Sequence, residues 1–413
     1  MYVYDTGSEF YGKDGFDYKS YISHGLKADY YGASCGTPGV YNTDQVMLIR
    51  IFLHRLFHSK TCPLVTDPTK AQVFFVPMYP GKHASVALTD DLRSNSGIVS
   101  IGKMSSQDWV NTCKAHKENP IPLLPYLNNE TAPFHFFMVS KSSMYGCDGW
   151  FRYPVDPLIK QAVRLAYGTT YIGRNESGTS DYKPCCPYEG SPDQINLLED
   201  HEYSPHALSI PYPSSIHWSS KHGGMKAPWQ FPPNSPKRPY LVSFTGSFRD
   251  CLFGHIRPVL EKAFHNCPED VCISTHGGHC NFISTKMKSI YCLEPGGDSP
   301  WRKSLYDSIT SGCIPVIFSK YNLLVSPWHW GPLVHNASVY IDAQRLISGE
   351  VNLIEELQSI SKERRKAMQR TISELGHALQ YSLDDYPNDA VEIILKGVHR
   401  YGKMRSEQSI LDL

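Results

Sequence analysis

The chain has 413 residues, of which 41% are hydrophobic and 19% are charged. This composition is typical of a globular protein and excludes a disordered tail, a collagen-like rod and a coiled coil. Lys and Arg together number 40, as do Asp and Glu. This balance removes the main electrostatic argument for a dedicated nucleic-acid binder. The length suggests two domains as the simplest division.

The first part of the chain predicts strands that alternate with helices. Residues 1–5 are predicted to form a short strand, and Thr43 is predicted to cap a helix that runs to about Ser59. Two continuous apolar runs, at 71–77 and 134–139, are short enough to be buried parallel strands. The other predicted elements are a helix over 105–119, a short helix over 160–167 and a long loop over 173–205.

Residues 218–238 contain a Gly-Gly pair and a cluster of prolines, which predicts an interdomain linker. The predicted domains are residues 1–235, at whose end the linker lies, and residues 239–413, which finish in helices. Beyond the linker, strands alternate with helices, which implies βαβ units and a parallel sheet. The predicted strands are 240–244, 271–274, 289–293 and 314–318, and the predicted helices are 252–264, 301–311 and much of 352–383.

The twelve cysteines divide evenly, six before the linker and six after it. An even number in each half predicts disulfides that close within each domain, in an oxidising compartment. Ordinary buried thiols are one alternative. A metal site is another, although its candidate ligands lack the paired short spacings of a zinc finger. Those ligands are Cys267, Cys272, His276, His279 and Cys280.

The start of the chain lacks the charged and apolar regions of a signal peptide, and no window of about 18 uninterrupted apolar residues follows it. We interpret the sequence as a soluble fragment whose membrane anchor lies elsewhere. Sequons at Asn129, Asn175 and Asn336 give weak support to a secretory location.

The stretch 291–318 predicts a strand, a Gly-rich loop, a helix and a second strand. Glycines let backbone N–H groups approach a ligand, and the start of a helix favours an anion. Arg302 can donate to a phosphate, and the Asp307 carboxylate can accept from ribose hydroxyls. The alternative is a tight turn with an N-cap and solvated charges. The candidate residues here are Glu294, Gly296, Gly297, Asp298, Ser299, Arg302 and Asp307.

A second candidate loop, 244–249, follows the first strand after the linker and contains Gly246 and Arg249. Open parallel sheets bind ligands at the carboxyl ends of their strands. We therefore expect this loop to face the same cleft between the two halves. The alternative is a plain turn in which Arg249 pairs with a surface acid.

These stretches, RPYLVSFTGSFR from Arg238 and CLEPGGDSPWRKSLYDSITSGCIPVIF from Cys292, resemble the nucleotide-sugar half of the exostosin glycosyltransferases (family 47). The first half of the chain is similar to the family at VYD (3–5), DP…A…FFVP (67–77), PFHFFMV (133–139) and IPYP (210–213). The spacing of Ser, Arg and Asp after the Gly-rich loop resembles the plant and algal branch, which includes xyloglucan galactosyltransferases.

The resemblance implies an α/β protein of GT-B architecture, in which two Rossmann-like domains face a central cleft. It implies inverting transfer from a UDP-sugar, bound by the C-terminal domain, to a cell-wall or extracellular glycan held by the N-terminal domain. The sugar could be galactose, xylose, arabinose or glucuronate. It implies no metal cofactor, in line with a sequence that contains no Asp-x-Asp. It also implies a type II protein of the Golgi lumen, which could form a homo- or heterodimer.

Inversion requires a base that takes the proton of the acceptor hydroxyl. Asp148, which follows the apolar run at 134–139, is the predicted base; the alternative is that it caps a turn. Arg249 is predicted to stabilise the negative charge that develops on UDP. His135, inside the apolar run, is predicted to be a core histidine. A non-catalytic scaffold subunit of a glycan-synthesising complex remains the alternative function.

Overall fold

The computed structural model of the protein describes residues 1–4, 30–77, 124–138, 157–167, 206–222, 224–230, 238–248, 255–297, 300–323 and 325–411. The helix predicted over 105–119 and the loop predicted over 173–205 lie outside these ranges. The same holds for four candidate site residues, namely Asp148, Arg249, Asp298 and Ser299.

Five parallel strands form the N-terminal sheet, in the order β1-β2-β3-β4-β5. Its two central apolar strands are buried on both faces, as strands of a covered parallel sheet must be. The strands predicted at 71–77 and 134–139 are thereby confirmed. The strands are β1 (Tyr2–Val3), β2 (Phe74–Pro77), β3 (His135–Met138), β4 (Val163–Ala166) and β5 (Ala207–Ser209).

Helix α1 (Leu48–His58) covers this sheet and places Phe52 edge-on against Phe75 of β2, with 5.2 Å between the ring centroids. Thr43 does not cap it, contrary to the prediction, since Met47 occupies the N-cap position after a short 3-10 turn at Gln45–Met47. The short helix predicted over 160–167 is also partly wrong. Helix α2 covers Pro157–Gln161, and β4 begins two residues later.

The C-terminal sheet has five parallel strands in the order β10-β9-β8-β6-β7. Because β6 pairs with β7 on one side and β8 on the other, the strand order reverses at β6. Such a reversal opens a crevice at the carboxyl ends of the strands. The strands are β6 (Tyr240–Thr245), β7 (Cys272–Thr275), β8 (Ser289–Glu294), β9 (Ile314–Ile317) and β10 (Val339–Tyr340).

Three helices connect the strands around this crevice, namely α3 (Arg257–His265), α4 (His279–Met287) and α5 (Lys303–Thr310). Side-chain caps begin three of the later helices, at Asp342, Asn352 and Ser361. Those later helices are α6 (Val334–Ala337), α7 (Ala343–Ile347), α8 (Leu353–Ser359), α9 (Lys362–Leu375) and α10 (Ala390–Leu411).

Elements from different parts of the chain pack the two α/β halves together. Helix α10 returns to the N-terminal half, where Gly402 lies so close to Phe134 that an added Cβ would meet its ring at 2.6 Å. Within the predicted linker, Trp229 is buried and lies over Gly376. This arrangement of two parallel sheets in one chain confirms the α/β, GT-B fold class. Among the described residues, no helix combines the length and apolarity that crossing a bilayer requires.

Polar side chains also join the halves. Arg55 of α1 donates to Asp385 at 2.9 Å and to Asp389 at 3.3 Å. His217 contacts the carbonyl of Tyr381 through Nδ1 and the hydroxyl of Thr43 through Nε2, at 2.5 and 2.8 Å. Thr43, which was predicted as a helix cap, is instead buried against His217, and His217 makes the contact with the C-terminal half.

The disulfides do not all close within one half, contrary to the prediction. Cys35 pairs with Cys280, 245 residues away, and links the N-terminal half to α4. Cys267–Cys272 and Cys292–Cys313 close within the C-terminal half, and Cys62 is a free thiol. Because the three cysteines of the alternative metal site all lie in disulfides, that alternative is wrong.

We expect the double variant Cys35→Ser/Cys280→Ser to have a free energy of unfolding about 2–5 kcal/mol below that of the wild type, since the long loop is no longer closed in the unfolded chain. Denaturant titration under non-reducing conditions measures this. The control is Cys62→Ser, for which we expect a change within about 1 kcal/mol. Equal stability of the double variant and the wild type would contradict the prediction.

We also expect Asp385→Asn to destabilise the protein in a pH-dependent manner. Partial burial raises the pKa of Asp385, but hydrogen bonds from Lys60 N, Arg55 and Ser59 outweigh it and lower the pKa to about 2. The folded-state pKa is thus below that of the unfolded chain, so the contribution is complete above about pH 5 and disappears as pH falls toward 2.

The expected loss at neutral pH is about 1–2 kcal/mol after screening by solvent, and it should shrink between about pH 4 and pH 2. Urea titrations across this range measure it, with the exposed Asp270→Asn as the matched control. A difference between variant and wild type that is the same at about pH 2 and pH 7 would count against the assigned role of Asp385.

Candidate functional site

A cavity of about 340 Å³ lies at the carboxyl ends of β6 and β8, where the strand order of the C-terminal sheet reverses. Residues of both halves line it. The C-terminal half supplies the ends of two strands and the starts of three helices. The N-terminal half supplies Asp44 and Gln45, which precede α1. The C-terminal lining comprises Phe244, Thr245, Gly246, Ser247, Arg257, His279, Phe282, Leu293, Glu294, Pro295, Arg302, Lys303, Ser304 and Asp307.

Gly246 ends β6 at the cavity in a backbone conformation that other residues rarely adopt. Its φ is +139°, and its amide donates to the carbonyl of Thr275 at 3.1 Å. The chain can therefore turn away from the sheet immediately after the strand, which leaves the crevice open.

Arg257, at the first position of α3, joins the two loops of the cavity. Its Nε donates to the carbonyl of Gly296 at 3.0 Å, and its Nη1 donates to the carbonyl of Ser247. Its guanidinium carbon lies 5.6 Å from the centre of the Phe244 ring. Sequence analysis missed this residue, although a basic residue at the start of the helix after the Gly turn is a usable signal.

Glu294, at the end of β8, is buried and ion-paired. Its Oε1 accepts from Lys286 Nζ at 2.8 Å and also from the hydroxyl of Ser308. Lys286 additionally donates to the hydroxyls of Ser304 and Ser308, at 2.9 and 2.8 Å. The pair between Lys286 and Glu294 fixes the start of the Gly-rich loop to α4 and α5. It also neutralises the charge of Glu294, which was predicted to bind the ligand.

Asp307, one turn into α5, forms a second buried pair. Both of its oxygens accept from Lys303, at 2.9 and 2.8 Å, and Oδ1 also accepts from the amide of Ser215 at 2.7 Å. Lys303 in turn donates to the hydroxyl of Ser215 at 2.7 Å. Asp307, the predicted ribose contact, therefore also connects α5 to the turn that follows β5.

Burial sets the protonation of two other groups at the cavity. It lowers the pKa of His279, the first residue of α4, and the nearby Lys303 lowers it further. The imidazole is therefore neutral near pH 7. Burial also lowers the pKa of Lys303, and the carboxylate of Asp307 opposes this effect. An ammonium paired with a carboxylate is the arrangement that makes such a buried lysine tolerable.

The wall formed by the C-terminal half suits an anion. Arg257 and Arg302 supply positive charge, whereas the two acids, Glu294 and Asp307, are each neutralised by a lysine. The starts of α4 and α5 also face the cavity, and their backbone N–H groups add partial positive charge. A ligand with a diphosphate group fits this combination.

The structure brings together most of the predicted binding residues that it describes. Gly246, Glu294, Arg302 and Asp307 line one cavity. Gly296 and Gly297 flank it. The carbonyl of Gly296 accepts from Arg257, and a Cβ added to Gly297 would lie 3.3 Å from Nε of Arg302. The ligand roles assigned to all of these residues stay predictions.

His135 is a core histidine, as predicted. It is fully buried, with Nδ1 against the carbonyl of Thr131 and Nε2 against the hydroxyl of Tyr4, both at 2.8 Å. Its ring stacks on Phe74 with a centroid separation of 4.4 Å. Asp148, the predicted base, lies outside the described ranges.

Known sequences are similar to the part of the chain that forms most of this cavity. Residues 193–351 match the exostosin GT47 domain. A probable xyloglucan galactosyltransferase of Arabidopsis thaliana is 32% identical over 45% of this chain and 37% of its own length. A xyloglucan-specific galacturonosyltransferase of the same plant is 26% identical over 90% of this chain and 52% of its own length. The chain thus spans about half or less of the length of these two relatives.

Among solved structures, the pneumococcal O-GlcNAc transferase GtfA with UDP and GlcNAc shares 10% identity over 73% of this chain and 59% of its own, at a TM-score of 0.34. A calicheamicin glycosyltransferase shares 10% identity over 86% of this chain and 93% of its own, at a TM-score of 0.32. The motifs around the cavity resemble the same family whose domain matches residues 193–351.

Proposed function

We propose that the protein is a glycosyltransferase that moves a sugar from a UDP-sugar to a cell-wall or extracellular polysaccharide. One observation carries the proposal: the cavity at the strand reversal of the C-terminal sheet, where Arg257, Arg302 and two helix starts face the same space. A nucleotide diphosphate is the ligand class that such a wall favours. The exostosin GT47 domain supports the same activity.

The proposed chemistry is an inverting displacement. The acceptor oxygen attacks the anomeric carbon while the bond to the β-phosphate oxygen breaks, through a transition state of oxocarbenium character. The proton of the acceptor hydroxyl passes to a base, for which Asp148 remains the candidate. The leaving UDP gains negative charge, which Arg302, Arg257 and the start of α5 are placed to stabilise, with Arg249 as a further candidate.

The proposed setting follows from the relatives. Their names specify xyloglucan as the polysaccharide on which they act, which supports a cell-wall glycan as the acceptor. The two disulfides of the C-terminal half and the one between the halves support an oxidising compartment. We propose the Golgi lumen, with a membrane anchor outside this chain.

The test of the function is a donor screen. We expect release of UDP, dependent on a xyloglucan-type acceptor, with at least one of UDP-galactose, UDP-xylose, UDP-arabinose and UDP-glucuronate. Calorimetric titration with UDP should show binding in the same preparation. Binding of UDP without turnover of any donor would favour the scaffold alternative, and no binding of UDP would overturn the proposal.

We expect Arg302→Ala to lower kcat/KM by roughly 30- to 1,000-fold, or about 2–4 kcal/mol of transition-state stabilisation. Arg302→Lys should recover part of this loss, because it keeps the charge but not the forked donors. The matched control is Arg345→Ala, whose side chain is exposed and pairs with Glu350 away from the cavity. Steady-state turnover by Arg302→Ala equal to that of the control would contradict the assignment.

We expect activity to survive EDTA, because the proposed site stabilises the diphosphate with arginines and helix starts. Initial rates before and after chelation and dialysis measure this. Loss of the rate on chelation, with recovery on addition of Mn²⁺, would show that the diphosphate needs a cation and would overturn the metal-independent part of the proposal.

A further inference from the structure

The N-terminal half contributes a carboxylate to the cavity. Asp44 is half-buried and lines the same space as Arg257, Arg302 and Lys303, but from the opposite half of the molecule. Its charge acts on two cavity groups, since it raises the pKa of Lys303 and that of His279 against the larger effect of burial. Asp44 is therefore electrostatically part of the site.

The segment that carries Asp44 is anchored by several contacts within the N-terminal half. The amide of Tyr41 donates to the carbonyl of Ser215 at 2.9 Å, and the hydroxyl of Tyr167 donates to the carbonyl of Gln45. Thr43 contacts the buried His217 at 2.8 Å. A side chain on such an anchored segment meets a ligand without first having to be ordered, which is the condition for selective recognition.

The disulfide at the start of this segment fixes it further. Cys35 is bonded to Cys280, the neighbour of the cavity residue His279 in the first turn of α4. The segment with Asp44 is thus tied covalently to one of the helices whose start faces the proposed diphosphate site.

The position of Asp44 determines which part of a donor it can meet. The phosphates are drawn to the arginines and helix starts of the C-terminal half, so the sugar on the β-phosphate extends toward the N-terminal half. A carboxylate there accepts hydrogen bonds from sugar hydroxyls. It also repels a second carboxylate at short range, as in a uronic acid.

We propose that Asp44 is a specificity-determining residue that accepts hydrogen bonds from the hydroxyls of the transferred sugar and selects donors with a neutral sugar over UDP-uronic acids. This inference rests on the proposed function of the same cavity. It separates galactose, xylose and arabinose from glucuronate among the donors that the family resemblance leaves open.

The experiment compares the wild type with Asp44→Asn, Asp44→Glu and the exposed control Asp270→Asn. For each, kcat/KM is measured with UDP-galactose, UDP-xylose, UDP-arabinose, UDP-glucuronate and UDP-galacturonate. Dissociation constants for UDP and for each UDP-sugar are measured by calorimetry. Melting temperatures confirm that every variant is folded.

We expect the wild type to prefer a donor with a neutral sugar. In Asp44→Asn, kcat/KM for neutral donors divided by kcat/KM for UDP-uronic acids should fall by about tenfold or more. Asp44→Glu should retain most of the discrimination because it keeps the charge. UDP alone should bind to all four proteins within about twofold, since it lacks the sugar. The preference for neutral UDP-sugars, measured from the dissociation constants, should likewise be retained in Asp44→Glu and reduced in Asp44→Asn.

Two outcomes would overturn the inference while leaving the proposed function intact. One is a wild type that prefers a UDP-uronic acid, and the other is an Asp44→Asn variant with an unchanged donor ratio. If UDP and the UDP-sugars bind but none is turned over, the proposed function fails, and the binding ratios alone decide the role of Asp44. If UDP does not bind, both fail.

Discussion

The buried ion pair between Lys303 and Asp307 is the contact on which the geometry of the cleft depends. A buried pair is stable only when further hydrogen bonds satisfy both partners, and here Ser215 of the N-terminal half supplies them through its amide and its hydroxyl. The carbonyl of Ser215 then accepts from Tyr41, three residues before Asp44. One pair at the start of α5 thus fixes both walls of the cavity.

Other contacts also hold the two halves together. His217 joins the segment 41–45 to Tyr381, Arg55 joins α1 to the stretch before α10, and Cys35 is bonded to α4. Together these contacts stabilise one relative placement of the two sheets. A cleft that is preorganised in this way positions its charges before a ligand arrives, which is how electrostatic stabilisation becomes effective.

The sequence predicts the parts of this structure that depend on local pattern. Continuous apolar runs identify β2 and β3, and the Gly-rich stretch after β8 identifies one wall of the cavity. The partners across the fold could not be predicted. Ser215 and Asp307 are 92 residues apart, and Cys35 and Cys280 are 245 apart. Nothing in the local spacing of these residues indicates which distant group each will meet.

The same limit explains why net charge says little about this site. Glu294 and Asp307 look like ligand-binding acids in the motif, yet Lys286 and Lys303 pair with them inside the fold. Because these pairs cancel locally, the acids do not offset the arginines that line the cavity. A chain whose acids and bases are equal in number can therefore hold a positive wall on one half. Asp44 opposes that wall, so the cavity carries negative charge on its N-terminal side and positive charge on its C-terminal side.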